Sequence, residues 1–207
     1  MTTIADKLQQ VQHRVAHACE RAGRDPASVL LLAVSKTFGP DAVLEAARAG
    51  QHAFGENYLQ EAVEKMAALR QMGAPTLQWH CIGPVQSNKT RLVAEHFDWM
   101  HTVDRLKVAQ RLSDQRPAHL PPLQVCIQIN VDGGANKSGV TPQEALALAQ
   151  SVAVLPQLCL RGLMSIPEPA ADLEAQRLPH RELKRLFDRL CAQGLALDTL
   201  SMGMSAD

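Results

Sequence analysis

Lys36 closes an apolar run, Val29-Leu30-Leu31-Leu32-Ala33-Val34-Ser35, and a primary amine at that place has more chemical scope than any other group in the chain. Bounded by Pro26 and by Gly39-Pro40, the run reads as a strand buried on both faces, the pattern of a parallel sheet. In parallel α/β sheets the carboxyl ends of the strands face the ligand site. Low hydration at such a place favours the neutral amine, the form that attacks a carbonyl to make a Schiff base. The plainer alternative is a strand-end lysine reaching into solvent.

Other segments carry polar groups at apparent strand ends. Gly55-Glu56-Asn57-Tyr58 supplies either a helix N-cap, with Asn57 as the cap, or a ligand contact. His80 lies inside a strand, where a satisfied interior histidine is the commoner occurrence. Gly83-Pro84-Val85-Gln86-Ser87-Asn88-Lys89-Thr90 nearly spells a Walker A loop, but Asn88 replaces the second glycine and Pro84 follows the first. Both obstruct the wrapping of backbone amides around a phosphate, so a nucleotide-binding module ranks low. The loop Asp132 to Gly139 places Lys137 as a second lysine beside a strand end. Gly162-Leu163-Met164-Ser165-Ile166-Pro167 offers apolar groups suited to a flat ring, or simply a core strand and a proline turn. Ser201, Gly203 and Ser205, followed by Asp207, fall where the late loops of an α/β barrel commonly form a phosphate site.

These residues need a strand-then-helix scaffold, and the sequence supplies one. Ile4, Leu8, Val11, Val15 and Cys19 make one helical stripe, capped by Thr3 and stopped at Gly23. Further helices are expected from Ala42 to Ala49, along Leu59, Val63, Met66 and Leu69, from the capping box Thr141-Pro142-Gln143-Glu144 to Val154, and starting, or restarting, near Pro179. Strands are expected at the Lys36 run, Ala53-Phe54, Leu77–Ile82, Asp98–Val103, Gln124–Asn130, Leu158–Leu163 and Thr199–Met202. Seven strands alternating with helices imply parallel pairing. No G-x-G-x-x-G follows a strand, and polar loops recur after nearly every one. A TIM-type (β/α)8 barrel is therefore expected over an open doubly wound sheet, here one strand short. It forms a single C-terminally incomplete domain, residues 1–207, and truncation of a longer chain is expected rather than a natural short form.

Composition narrows the function class. The chain has 207 residues, 46% hydrophobic and 20% charged, with 21 basic and 21 acidic side chains, so no global positive field recruits nucleic acid or an acidic membrane. Cys19, Cys81, Cys126, Cys159 and Cys191 are far apart, which suggests neither a zinc site nor a disulfide framework and fits a reducing compartment. No signal segment or bilayer-length apolar stretch is seen, and a cytoplasmic location is expected.

Taken in order, Ala33-Val34-Ser35-Lys36-Thr37, Phe54-Gly55-Glu56-Asn57-Tyr58, Trp79-His80-Cys81-Ile82-Gly83, Gln86-Ser87-Asn88-Lys89, Lys137-Ser138-Gly139, Gly162-Leu163-Met164-Ser165-Ile166-Pro167 and Leu200-Ser201-Met202-Gly203-Met204-Ser205 resemble the pyridoxal phosphate homeostasis protein family over nearly the whole chain. The resemblance implies a barrel similar to the N-terminal domain of alanine racemase that binds pyridoxal 5'-phosphate. By that resemblance Lys36 forms the internal aldimine, Ser205 with Ser201 and Gly203 binds the phosphate, and Asn57 and Met164 line the cofactor pocket. It implies no metal and a monomer in the full-length form, and PLP-requiring apoenzymes are the expected recipients of the cofactor.

The sequence departs from the family pattern at Phe38, where a polar or basic residue is usual, and at His180, where an aromatic is usual. Family members also continue into a glycine-serine or glycine-threonine pair and a V-R-I-G strand whose arginine faces the pyridine nitrogen, and this chain stops short of both. Racemisation would need a second base on the opposite ring face, and the only tyrosine here is Tyr58. The resemblance therefore implies a cofactor-holding homeostasis protein with no catalytic residue assigned. A PLP-dependent amino-acid racemase is the alternative.

Overall fold

The computed structural model describes residues 3–134 and 138–204. Elements alternate as the sequence predicts. Helices are α1 (Ile4–Arg21), α2 (Pro40–Arg48), α3 (Leu59–Gln71), α4 (Thr90–His96), α5 (Leu106–Gln115), α6 (Ala145–Ala153) and α7 (Leu173–Ala192). Strands are β1 (Ala33–Val34), β2 (Ala53–Glu56), β3 (Gln78–Cys81), β4 (Trp99–Val103), β5 (Leu123–Gln128), β6 (Leu158–Met164) and β7 (Thr199–Ser201). Strand order follows chain order from β1 to β7. A doubly wound sheet reverses its order at a switch point, whereas sequential parallel strands joined by helices are the topology of the (β/α)8 barrel, here with seven strands among the described residues.

Two compact units divide between His80 and Cys81. In the first, α1 starts at a full capping box: Asp6 N–H donates to Thr3 Oγ1, and Thr3 N–H donates to the Asp6 carboxylate. The helix α2 opens with Pro40 at its first turn and is followed by Gly50 at φ 95°. β1 and β2 run parallel with Ala33 opposite Phe54 and Val34 opposite Gly55. Phe54 and Trp79 stack at 5.7 Å between centroids.

The second unit holds the longer strands. β4–β5, β5–β6 and β6–β7 are parallel pairs, and Val103, Leu123, Val125, Cys126, Ile127 and Leu163 are completely or almost completely buried. Gly162 is required at the β6–β7 contact, since a Cβ there would lie 1.7 Å from the Thr199 carbonyl oxygen.

Four expectations need correction. The Lys36 run is not a strand buried on both faces: only Ala33 and Val34 are extended in the ladder, and Leu30 and Val34 are 66% and 46% exposed. The reason is that β2 is the only strand paired to β1 among the described residues, so one edge and part of one face stay open. Helix α7 begins at an Asp172 N-cap and carries Pro179 in its interior. Helix α6 begins at Ala145, after a turn closed by Glu144 N–H donating to the Thr141 carbonyl, with Thr141 N–H and Oγ1 both donating to the Glu144 carboxylate. Asn57 is not the cap of α3: Tyr58 occupies that position and makes no side-chain capping bond.

Candidate functional site

In the first unit the chain turns sharply after β1. Phe38 N–H donates to the Ser35 carbonyl at 3.1 Å, closing a β-turn with Lys36 and Thr37 as its central residues. Thr37 has φ 67°, the sole non-glycine residue with positive φ among those described. That conformation is normally left to glycine or asparagine and costs about 1–3 kcal/mol for a β-branched residue unless neighbours impose it. Lys36 thus stands at the apex of a strained turn. Its side chain is exposed, so the expectation of a poorly hydrated ammonium does not hold.

The neighbours that impose the turn come from β2 and α3. Lys65 Nζ donates to the Ser35 carbonyl at 2.7 Å, to Glu56 Oε1 at 2.6 Å and to Glu61 Oε1 at 3.0 Å. Ser35 Oγ donates to the same Glu56 oxygen at 2.6 Å, and Thr37 N–H donates to Glu61 Oε1 at 2.8 Å. Glu56 is fully buried and Lys65 only 4% exposed. An ion pair this deep is strengthened by low local polarity, and removing either partner would strand a charge. The hydrogen bond from Lys65 holds the Glu61 carboxyl below its ordinary range, with the Thr37 amide adding to the effect.

Sequence reading missed this network. Glu61 and Lys65 are spaced i, i+4, which ordinarily signals a surface pair, yet Lys65 is buried alongside Met66 and Leu69. Asn57 follows β2 directly, and its Oδ1 is buried with no hydrogen-bond partner, the condition of an atom able to receive a ligand donor. Ser35 N–H donates to the Gly55 carbonyl at 2.9 Å, so the strand ends that lead to Lys36 and Asn57 lie side by side. Tyr58 and Phe38 are exposed by 56% and 57%.

In the second unit Met164 and Ser201 are register partners across β6 and β7. Met164 is buried with Trp99 and Cys126. Ser201 Oγ lies 2.7 Å from Nδ1 of His101, a β4 residue that is 4% exposed. Burial pushes the His101 imidazole down to about 4, so the ring is neutral at physiological pH. Ser165 N–H donates to the Ser201 carbonyl, while the buried Ser165 hydroxyl has no partner. Gly203 takes φ 94°, which only glycine adopts without strain. Ser205 and Lys137 lie outside the described residues.

Other sequence candidates have ordinary roles. His80 is buried beside Gln78 Oε1 at 3.0 Å. Thr90, which a Walker loop would turn toward a metal, is fully buried with its hydroxyl within hydrogen-bond reach of the Ser87 carbonyl at 3.0 Å and Gln115 Oε1 at 2.8 Å. Burial pushes the Cys81 and Cys126 thiols up to about 12, which removes them as nucleophiles. Among the described residues no His/Cys/Asp/Glu group could hold a metal ion, and no helix is long and apolar enough to cross a membrane.

The family described as alanine racemase, N-terminal domain, matches residues 7–207. Solved structures of the same fold include alanine racemase from Clostridium difficile, with a TM-score of 0.69 at 19% identity, covering 86% of this chain and 47% of that one. The chain belongs to the pyridoxal phosphate homeostasis protein family. The protein of that name from Pseudomonas aeruginosa is 58% identical over all of this chain and 87% of its own length. The one from Escherichia coli K12 is 51% identical over all of this chain and 88% of its length. PipY from Synechococcus elongatus, solved with PLP bound, has a TM-score of 0.79 at 35% identity, covering 93% of this chain and 90% of that one.

Proposed function

We propose that this chain binds pyridoxal 5'-phosphate and acts in its intracellular homeostasis, holding the cofactor reversibly through Lys36 Nζ and supplying it to proteins that require it. The observation that carries the reading is the exposed Lys36 amine at the apex of the braced Ser35–Phe38 turn. Support comes from the names of the relatives and from the PLP held by PipY. The residues fit such a group: Asn57 offers a buried oxygen without a partner, and Ser165 a buried hydroxyl.

Bound PLP would supply an aldehyde, which an amine captures reversibly. In this reading Lys36 is the capturing amine, Asn57 and Met164 line the ring, and Ser201, Gly203 and Ser205 receive the phosphate. Ser201 would meet that anion with its hydroxyl oriented by neutral His101. We read the whole of residues 1–207 as one cytoplasmic cofactor-binding domain, without catalysis of its own and monomeric in its full-length form. A racemase would need a second base facing Lys36 across the ring.

The test is a visible absorption titration with PLP, run on wild type and Lys36→Ala, followed by transfer to an apoenzyme that requires PLP. A Lys36-dependent band whose cofactor then restores the apoenzyme is the expected result. Absence of the band in wild type overturns the binding reading. Lys36-dependent racemisation of an amino acid overturns the carrier reading and favours the enzyme.

A further inference from the structure

We infer that Glu61 and Lys65, with Glu56 behind them, are positioning residues for Lys36, gripping the two peptide groups on either side of it so that its amine is presented in one orientation. The inference rests on the reading of Lys36 as the capturing amine and adds to it the residues that govern how fast capture occurs.

The peptide preceding Lys36 is held by its carbonyl, Ser35 O, which accepts from Lys65 Nζ at 2.7 Å. The peptide following Lys36 is held by its N–H, Thr37 N, which donates to Glu61 Oε1 at 2.8 Å. The two gripping side chains are one helical turn apart on α3 and joined to each other at 3.0 Å. Glu56 fixes Lys65 from the far side at 2.6 Å and holds Ser35 through its hydroxyl as well. Three side chains thus converge on a turn of four residues.

A surface turn has no structural need of this. The turn already closes through Phe38 N–H, and a glycine at position 37 would relieve its positive φ. Thr37 is instead kept left-handed by a carboxylate acceptor supplied from another element. Strain held by surrounding groups at one residue beside a reactive amine is the pattern of a preorganised site. Orienting a nucleophile removes rotational freedom that would otherwise be lost at each capture, which raises the rate.

Glu61 is the residue to change, because its side chain is 38% exposed and Lys65 keeps Glu56 when it is gone. Glu61→Gln keeps an acceptor oxygen for Thr37 N–H, and Glu61→Ala removes it. Two readouts are needed: hydrogen exchange of the Thr37 amide without PLP, and the stopped-flow rate of PLP capture per folded molecule. Glu61→Ala should lose Thr37 protection and slow capture about tenfold, while Glu61→Gln stays within about threefold of wild type on both. Loss of protection with an unchanged capture rate would make the network merely structural and overturn the inference. Unchanged protection in Glu61→Ala would overturn it too, since the grip would not exist. A wild-type chain that captures no PLP at Lys36 would overturn the proposed function, and this inference with it.

Discussion

The backbone beside Lys36 in the first unit is held by charge, and the hydroxyl of Ser201 in the second by a neutral hydrogen bond. Beside Lys36, a fully buried carboxylate and a nearly buried ammonium grip the backbone through Glu56 and Lys65. Beside Ser201, a buried histidine kept neutral by its surroundings does the orienting. The difference follows from what each must hold. Lys36 is flanked by the Ser35 carbonyl and the Thr37 N–H, and a cation satisfies the first and an anion the second. The Ser201 hydroxyl is a single neutral group, and an uncharged ring suffices to pair with it, donating or accepting according to its tautomer.

Breaking the ionic side should cost most. Lys65→Met strands the Glu56 carboxylate at zero exposure, and a loss of about 3–5 kcal/mol in unfolding free energy is expected from urea titration. Replacing both partners, Lys65→Met with Glu56→Leu, should recover most of that loss, because an apolar pair of similar volume avoids the desolvation cost.

The neutral side should answer to pH. His101 has its folded value near 4, below its ordinary 6.5, so the unfolded chain takes up the proton first as pH falls. Its contribution is therefore complete above about pH 6.5 and lost progressively toward pH 4, on the order of 3 kcal/mol in all. Denaturation of wild type against His101→Gln across that window should show wild type losing more stability by about that amount.

The smallest effect separates burial from mere pairing. Arg161 and Asp198 in the second unit form a bidentate ion pair, but their side chains are 31% and 54% exposed. Asp198→Ala should cost no more than about 1 kcal/mol by thermal melting, a fraction of the Lys65→Met effect.

Much of this was legible in the sequence. The element order follows from apolar runs, caps and turn residues, since these are local signals, and the parallel topology follows from the alternation of strands with helices. The Glu56–Lys65 network was not legible, because a lysine at i+4 from a glutamate looks the same whether water or a strand end lies above it. Burial of Lys65 depends on a neighbouring strand, and no local period records that. The same limit explains β1: an apolar run announces burial, but whether both its sides are covered depends on which strands flank it, and Leu30 and Val34 are left exposed. His101 was passed over because one histidine within a buried strand is indistinguishable in sequence from an inert one, and its partner Ser201 is 100 residues away.

The central claim is that Lys36 is the residue to which PLP becomes attached. Borohydride reduction of the PLP-loaded protein, digestion and peptide mass analysis would place the fixed cofactor directly. The added mass is expected on the peptide containing Lys36, and its disappearance is expected in Lys36→Ala. Mass found on another lysine, with Lys36 unmodified, would contradict it.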